Sequence, residues 1–418
     1  MLALLSRLSN YKGNMDTSRH ISIPNDLLQP ADDFASLLAT ASLLINVGDD
    51  YGDWVQDKAL PEVIAIQRLI TLARNGVKLR VRWSKRIADQ VFNSPSLFPL
   101  LAVVLCLDDT DHEIIAENGI CVAVDVQPCR KAIYAYRPLS DLFSDTQVII
   151  CADSRGYGRP KALYTTGGNL ISRTDFDAFV ERLLTSQIGG NVGESHTVTF
   201  SQNVATIVAE LFENTDFHGK KDIHGVPFKS NGLRGMMFKR IELSSRPRRP
   251  LSARVTPTRL SMQEHENAPT LAALEISVFD SGVGYYASYM RQPLNPITPL
   301  VDEWRVVHKC LGRHYEVITP PNQLLPDIRA GHTGMGLYEV LRALQFLKGK
   351  FEVRSGRTYG FRTFLEGETQ FLNESADSIT RPGMPKPVLL DKGLQFVRIP
   401  TPNELLVGST VRVLIPLN

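Results

Sequence analysis

The sequence predicts an α/β domain followed by an α+β domain with a mixed, largely antiparallel sheet. A length of 418 residues suits two or three domains. Strand-like and helix-like apolar segments alternate over residues 31–188, which is typical of α/β domains. Residues 191–418 instead mix helices with β-hairpins, and a glycine-rich break at residues 189–193 separates the two patterns. We therefore predict domains over residues 31–188 and 191–418.

Composition and charge narrow the class of protein. Apolar residues make up 43% and charged residues 22% of the chain, as in ordinary soluble globular proteins. The net charge of +2 predicts no general attraction to nucleic acid or to membranes. The longest apolar run, residues 97–107, is too short to span a bilayer, and Arg7 interrupts the apolar start at residues 1–5. We therefore expect a cytoplasmic protein that does not bind a membrane.

The first domain follows a lead-in over residues 1–30, which its polar, irregular sequence predicts to be flexible. One helix is predicted to begin near Pro61 and to end at Asn75-Gly76, and another follows Thr174. The predicted strands are apolar or alternating segments, namely Ser42–Val47, Val77–Trp83, Ile120–Val124, Ala132–Tyr136 and Val148–Ala152. The sequence indicates no ligand for this domain.

The second domain begins with a predicted amphipathic helix over residues 201–217. Its predicted strands are Gly235–Leu243, Leu271–Phe279, Lys350–Val353, Phe361–Leu365 and Val411–Leu417. Long polar loop insertions occupy hairpin positions at residues 244–268 and 366–392. Arginines over residues 246–259 offer a weak possibility of nucleic-acid binding, but a solvated loop is the favoured interpretation.

A polar stripe runs along the helix at 201–217. Glu210, Asn214 and His218 are spaced at i, i+4 and i+8, so they lie on one face. A carboxylate and a carboxamide one turn apart can serve as a general base and as a ligand of a hard metal ion. They can also form an ordinary solvated edge, and the stripe alone does not decide between the two interpretations.

Two glycine-rich clusters follow this helix. Leu274, Ile276 and Val278 alternate along a strand that ends in Asp280-Ser281-Gly282-Val283-Gly284. A carboxylate at the end of a buried strand can accept a hydrogen bond from an exocyclic amine such as adenine N6, and glycines let a flat ring approach the backbone. The same pattern also fits a plain turn.

The second cluster is Gly331-His332-Thr333-Gly334-Met335-Gly336-Leu337, which opens a predicted helix. Glycines at a helix start expose backbone N–H groups at the positive end of the helix dipole. This arrangement suits phosphate binding, although an ordinary glycine-rich helix entry remains the alternative.

Taken in order, the motifs resemble those of the GHKL superfamily, the Bergerat-fold ATPases of DNA gyrase, MutL, heat-shock chaperones, histidine kinases and anti-sigma kinases. They are Glu-x-x-x-Asn on a helix, a strand ending in Asp-x-Gly-x-Gly, the glycines before a helix, and Gly408-Ser409-Thr410-Val411 entering a last strand. The resemblance covers roughly the C-terminal half. It implies a mixed, largely antiparallel sheet with helices on one face.

The resemblance also implies ATP and Mg²⁺ as cofactors. Asn214 resembles the family's magnesium ligand and Asp280 its adenine-reading aspartate, while Thr410 resembles the threonine that supports this aspartate. Glu210 matches the catalytic carboxylate that activates the attacking nucleophile. The implied nucleotide-binding residues are Asn214, Asp280, Gly282, Gly284, Gly334, Met335, Gly336, Leu337 and Thr410.

Three functions fit this resemblance. The first is a Mg-ATP-hydrolysing regulatory switch that acts on a protein partner or as a homodimer. The second is an anti-sigma-type serine/threonine protein kinase, in which Glu210 activates a hydroxyl of the partner. The third is a scaffold that binds ATP without hydrolysing it. Candidate γ-phosphate contacts in the segment after Gly284 are Arg291, Arg305, Lys309, Arg313 and Arg329.

Overall fold

The structure is a computed structural model that describes most of the chain. The described residues are 19–23, 25–28, 31–51, 62–116, 118–135, 146–154, 158–188, 198–243, 271–312, 336–364, 389–392, 397 and 399–417. The predicted insertion at 244–268, the arginines at 246–259, most of the insertion at 366–392, and residues 189–193 and 331–335 therefore lie outside the described residues.

The first lobe, residues 19–135, contains a five-stranded sheet in the order β1-β2-β3-β4-β5. The first four strands are parallel to their neighbours, and β5 runs antiparallel to β4. The strands are β1 (Arg19–Ser22), β2 (Ser42–Val47), β3 (Lys78–Ser84), β4 (Asp111–Ile115) and β5 (Cys121–Ala123). The helices of this lobe are α1 (Ala31–Leu38), α2 (Glu62–Arg74), α3 (Lys85–Asn93), α4 (Pro99–Cys106) and α5 (Gln127–Tyr134).

The second lobe, residues 146–417, contains a six-stranded sheet in the order β10-β9-β11-β8-β7-β6. Every neighbouring pair is antiparallel. The strands are β6 (Thr146–Ala152), β7 (Leu233–Leu243), β8 (Leu271–Asp280), β9 (Lys350–Gly356), β10 (Thr358–Thr363) and β11 (Leu406–Pro416). The helices are α6 (Arg173–Ile188), α7 (Val198–His218), α8 (Gly284–Met290), α9 (Leu300–Cys310) and α10 (Gly336–Phe346).

The six-stranded sheet is covered on both faces. On one face, Ile276 and Val413 belong to an apolar core shared with α6, α7 and α10. On the other face, Met237 and Phe279 belong to the core of the first lobe. Helix α2 lies against β11 and β8 on this second face. The molecule is therefore a mixed α/β structure in which α2 lies between the two lobes.

Three details differ from the sequence prediction. Residues 19–22, placed in a flexible lead-in, form β1 and pair with β2. Ala132–Tyr136, predicted as a strand, lies largely in α5, which has Pro128 in its first turn. Strand β6 pairs with β7 and α6 packs on α7, so these two elements of the predicted first domain belong with the second lobe.

The apolar run at residues 97–107 contains α4, whose residues are all buried. Its Pro99 occupies the first helical position, where a missing N–H costs no internal hydrogen bond. Within the part of the chain that the structure describes, no helix has the length and apolar character needed to cross a membrane.

Candidate functional site

The carboxylate of Asp280 lies where β8 ends beside the C-terminal end of α7. A Cβ atom added to Gly219, directly after α7, would lie 2.7 Å from the Asp280 Cβ. One added to Gly282 would lie 2.8 Å from Asp280 Oδ1. Both glycines therefore pack against Asp280 more closely than any side chain permits, and Asp280 itself is only 5% exposed.

Two residues, Gly282 and Ser409, donate hydrogen bonds to the Asp280 carboxylate. The backbone N–H of Gly282 donates to Oδ1 at 2.8 Å, and the hydroxyl of Ser409 donates to Oδ2. Burial raises the pKa of Asp280, and these hydrogen bonds offset part of the increase. Each carboxylate oxygen has a further lone pair, so the group can accept another hydrogen bond.

Ser409, and not Thr410, is the hydroxyl residue at Asp280. Ser409 stands opposite Asp280 in the β11–β8 register, so both side chains lie on the same face of the sheet. Thr410 points to the opposite face and donates to Gln67 Oε1 at 3.3 Å. Side chains alternate along a strand, so of these two adjacent hydroxyl residues it is Ser409 that hydrogen-bonds Asp280 directly, and the predicted supporting role of Thr410 stays a prediction.

Gly408 lets β11 approach Asp280. Its φ of +77° lies in the left-handed region, and an added Cβ would lie 1.8 Å from the Asp280 carbonyl oxygen. No other residue type fits both conditions. Gly284 also has a φ of +77°, and an added Cβ there would lie 2.8 Å from Ser355 Oγ, at the start of α8.

Glu210 and Asn214 lie one turn apart on α7 and face the first residue of α10. A Cβ added to Gly336 would lie 2.6 Å from Glu210 Oε2 and 3.3 Å from Asn214 Nδ2. The Asn214 Nδ2 atom is buried and has no hydrogen-bond partner among the described residues. Buried polar atoms are normally paired, so this carboxamide is suited to a ligand.

Arg173, at the start of α6, is a charged neighbour of this group that sequence reasoning missed. Its Nη2 donates to Glu210 Oε1, and its Nη1 lies 3.7 Å from Glu213 Oε1. The Arg173 side chain is 45% exposed and that of Glu210 is 17% exposed. A positive side chain in the first turn of a helix interacts unfavourably with the helix dipole. An arginine at the start of a predicted helix therefore indicates a negatively charged partner, and this signal could have identified Arg173 in the sequence.

A second charged group that was missed lies beside Asp280. Arg234 stands opposite Asp280 on β7, is fully buried, and makes two hydrogen bonds of 2.6 and 3.0 Å with Asp153. It also lies 3.0 Å from Asp216 of α7, which accepts from Lys220 at 2.9 Å. Burial alone would raise the pKa of Asp216, but Arg234 and Lys220 hold it below its ordinary value.

The other predicted residues fall in different places. His218, the third residue of the polar stripe, has its Nδ1 2.7 Å from Ser288 Oγ and does not join Glu210 and Asn214. Leu337 packs its side chain into the core, which leaves only its backbone for ligand binding. Gly334 and Met335 lie outside the described residues, as do Arg313 and Arg329.

The donor set around Asn214 limits how a metal ion can bind. Within the described ranges, His, Cys, Asp and Glu side chains nowhere form a group of three that could hold a metal. Mg²⁺ commonly keeps several waters and takes only one or two protein oxygens together with phosphates. The carboxamide oxygen of Asn214 and the carboxylate of Glu210 are the two oxygen donors here that could contribute to such a shared site.

Two groups of side chains, around Asp280 and around Asn214, are the basis for assigning a function. No family model, no curated protein and no solved structure matches the chain. Gly219, which packs against Asp280, follows Asn214 by five residues, a rise of about 7.5 Å along the helix axis. One elongated ligand can therefore contact both groups.

Proposed function

We propose that the second lobe is a GHKL-type, Bergerat-fold ATP-binding domain and that the protein is a nucleotide-dependent regulatory switch. The observation that carries the proposal is the buried Asp280 carboxylate, packed between Gly219 and Gly282 and held by Ser409. Its raised pKa is typical of a functional carboxylate and not of a paired structural one. The all-antiparallel sheet with α6, α7 and α10 on one face agrees with this fold family.

The Asp280 end of the site suits adenine. The Asp280 carboxylate is an acceptor, and the N6 amine of adenine is a donor that can give it a hydrogen bond. Gly219 and Gly282 let this carboxylate lie directly against the backbone after α7 and after β8, which fixes its position for the base. A guanine base presents a carbonyl oxygen at the equivalent position, so the same carboxylate would repel it.

The Asn214 end of the site suits the phosphates. Gly336 is the first residue of α10, where unpaired N–H groups and the helix dipole favour an anion. Bound there, Mg²⁺ would neutralise charge on the phosphates, with Asn214 as its protein ligand. The exposed guanidinium of Arg173 bonds Glu210, whose other oxygen faces this helix start, and adds a positive group near the phosphate end.

Glu210 is the residue that would activate a nucleophile. Its Oε2 faces Gly336, which is the side on which the phosphates would bind. If the acceptor is water, the protein is a hydrolysing switch; if it is the hydroxyl of a partner, the protein is an anti-sigma-type kinase. The bond from Arg173 to Glu210 Oε1 favours a third possibility, a scaffold that holds ATP with Glu210 engaged.

Substitution of Asp280 tests the adenine site. Asp280→Asn replaces one acceptor oxygen with an NH₂ group, so the adenine amine meets a donor, and we expect Mg-ATP binding to be lost. Isothermal titration calorimetry of Mg-ATP with wild type and variant measures this. Asp89→Asn, an exposed carboxylate on α3, is the matched control and should bind like wild type. Equal affinities for Asp280→Asn and wild type would refute the site.

Substitution of Glu210 separates the three functions. Glu210→Ala should bind Mg-ATP but lose turnover by roughly 10²–10⁴-fold, the usual contribution of a general base. Incubation with γ-labelled ATP, with and without candidate partner proteins, distinguishes the acceptors. Free phosphate indicates the switch, a labelled protein indicates the kinase, and neither product from wild type indicates the scaffold. Unchanged turnover in Glu210→Ala would exclude Glu210 as the base.

A further inference from the structure

The segment of β11 that holds Asp280 contains an irregularity. Leu406 pairs with Gly356 and Ser409 with Ser355, so the register with β9 shifts and Val407 and Gly408 are extra residues. Such a bulge leaves backbone groups without a strand partner and redirects nearby side chains. Here it directs Ser409 to Asp280 and brings Gly408 against the Asp280 carbonyl oxygen.

Helix α2 of the first lobe satisfies the groups that the bulge leaves unpaired. The Val407 N–H donates to Thr71 Oγ1 at 3.0 Å, and the Val407 carbonyl accepts from Gln67 Nε2 at 3.4 Å. Gln67 Oε1 accepts from the Thr410 hydroxyl. Gln67 and Thr71 are 0% and 1% exposed, so water does not substitute for these contacts.

The four residues from Val407 to Thr410 thus divide into two pairs. Val407 and Thr410, the outer pair, are bound by Gln67 and Thr71 of α2. Gly408 and Ser409, the inner pair, contact Asp280.

A second anchor lies just before this segment. Arg68 of α2 donates to Glu404 Oε1 through Nε at 2.9 Å and Nη2 at 2.6 Å, and to the Leu27 carbonyl at 2.7 Å. Glu404 also pairs with Arg354 of β9 at 2.8 Å. Burial alone would raise the pKa of Glu404, but the two guanidinium groups hold it below its ordinary value.

We infer that Gln67 and Thr71 are positioning residues of the candidate nucleotide site and that α2 couples the first lobe to base recognition. The inference rests on the proposed function, because it assigns the Ser409–Asp280 pair to the base. The first lobe then forms part of the site instead of being a separate module. Any event that shifts α2 relative to β11 changes the orientation of the Asp280 carboxylate.

The test measures base discrimination. Inosine triphosphate carries a carbonyl where adenine carries its amine, so wild type should bind Mg-ATP about tenfold or more tightly than Mg-inosine triphosphate. Thr71→Val keeps the side-chain volume but leaves the Val407 N–H unpaired, and Gln67→Leu removes both amide contacts. We expect each variant to reduce the ATP preference about fivefold in calorimetric titrations of the full chain.

Leu69→Ala is the control, since Leu69 lies on the opposite side of α2 in the first-lobe core. It should lower the melting temperature without changing the ATP preference, which separates lost stability from lost positioning. If Thr71→Val and Gln67→Leu both keep the wild-type preference, the inference is wrong and the proposed function stands. If wild type shows no preference, the Asp280 assignment fails and the inference fails with it.

Discussion

The two faces of the six-stranded sheet hold buried charge in different places. On the α7 face, apolar side chains such as Ile276 and Val413 fill the interior, whereas the ion pairs of Arg234 and the candidate site lie where the strands end. On the α2 face, a row of buried ions crosses the strands. Arg412 donates to Glu275 at 2.8 Å and to Glu352 at 3.1 Å, and Lys350 also donates to Glu352. These side chains can be buried on this face because each ion contacts one of opposite charge.

Two buried carboxylates show this contrast in the direction of their pKa shifts. Burial alone would raise the pKa of Glu352, but Arg412 and Lys350 hold it at about 2. The pKa of Asp280 is raised, because burial outweighs the hydrogen bonds from Ser409 and Gly282. A fully paired carboxylate contributes to stability, whereas an ionised one without a cation in contact costs free energy. A ligand that donates a hydrogen bond to Asp280 would offset this cost, as is typical of functional carboxylates.

The largest effect should come from the α2 face. Arg412→Met leaves Glu275 and Glu352 buried without their shared guanidinium, and removing one partner of a buried ion pair typically costs about 3–5 kcal/mol. We expect a fall of this size in the free energy of unfolding, measured by urea denaturation at pH 7.

A double variant is the control for this experiment. Arg412→Met combined with Glu275→Gln removes the carboxylate that loses its guanidinium partner, whereas Glu352 keeps Lys350, so this variant should recover most of the lost stability. A loss below about 1 kcal/mol in the single variant, the range of exposed pairs, would show that water reaches these groups and that the two faces do not differ.

Much of the fold follows from local patterns in the sequence. Segments with strong periodicity, such as β2, β8 and α7, were predicted close to their observed bounds. The strand predicted at Ala132–Tyr136 was wrong, because the β-favouring Ile133 and Tyr134 lie on the buried side of α5. The membership of β6 in the second sheet depends on pairing with β7, some 80 residues later, and no local pattern encodes it.

The residues of the candidate site likewise fall into those that local sequence patterns predict and those that depend on long-range contacts. Local motifs led to Glu210, Asn214, Asp280 and Gly336, because each lies at a helix turn or a strand end that the sequence marks. Ser409 was missed because the register of β11 decides which of two adjacent hydroxyl residues faces Asp280. Arg173, Arg234 and Gln67 were missed because their partners come from distant elements. Long-range pairing is what a single sequence conceals.

A smaller effect is expected in the pH dependence of stability, which differs between Glu352 and Asp280. The stabilising contribution of Glu352 is fully present above its unfolded pKa of 4.5 and is lost as the pH falls towards 2. Glu352→Gln should therefore lower the free energy of unfolding by about 1–3 kcal/mol at pH 7, and by less at pH 4. The stability contribution of Asp280 depends on pH in the opposite direction. Its contribution is present below the unfolded pKa of 3.8 and is lost as the pH rises through the higher folded value.

Asp280→Asn should therefore leave the protein at least as stable as wild type at pH 7, even though nucleotide binding is lost. Urea denaturation of wild type and both variants at pH 7 and pH 4 measures how each substitution changes the free energy of unfolding at each pH. A stable variant that does not bind is the expected result for a residue kept for a ligand at some cost in stability. If Asp280→Asn loses as much stability at pH 7 as Glu352→Gln, the Asp280 carboxylate is a structural group, and the physical argument for a ligand there fails.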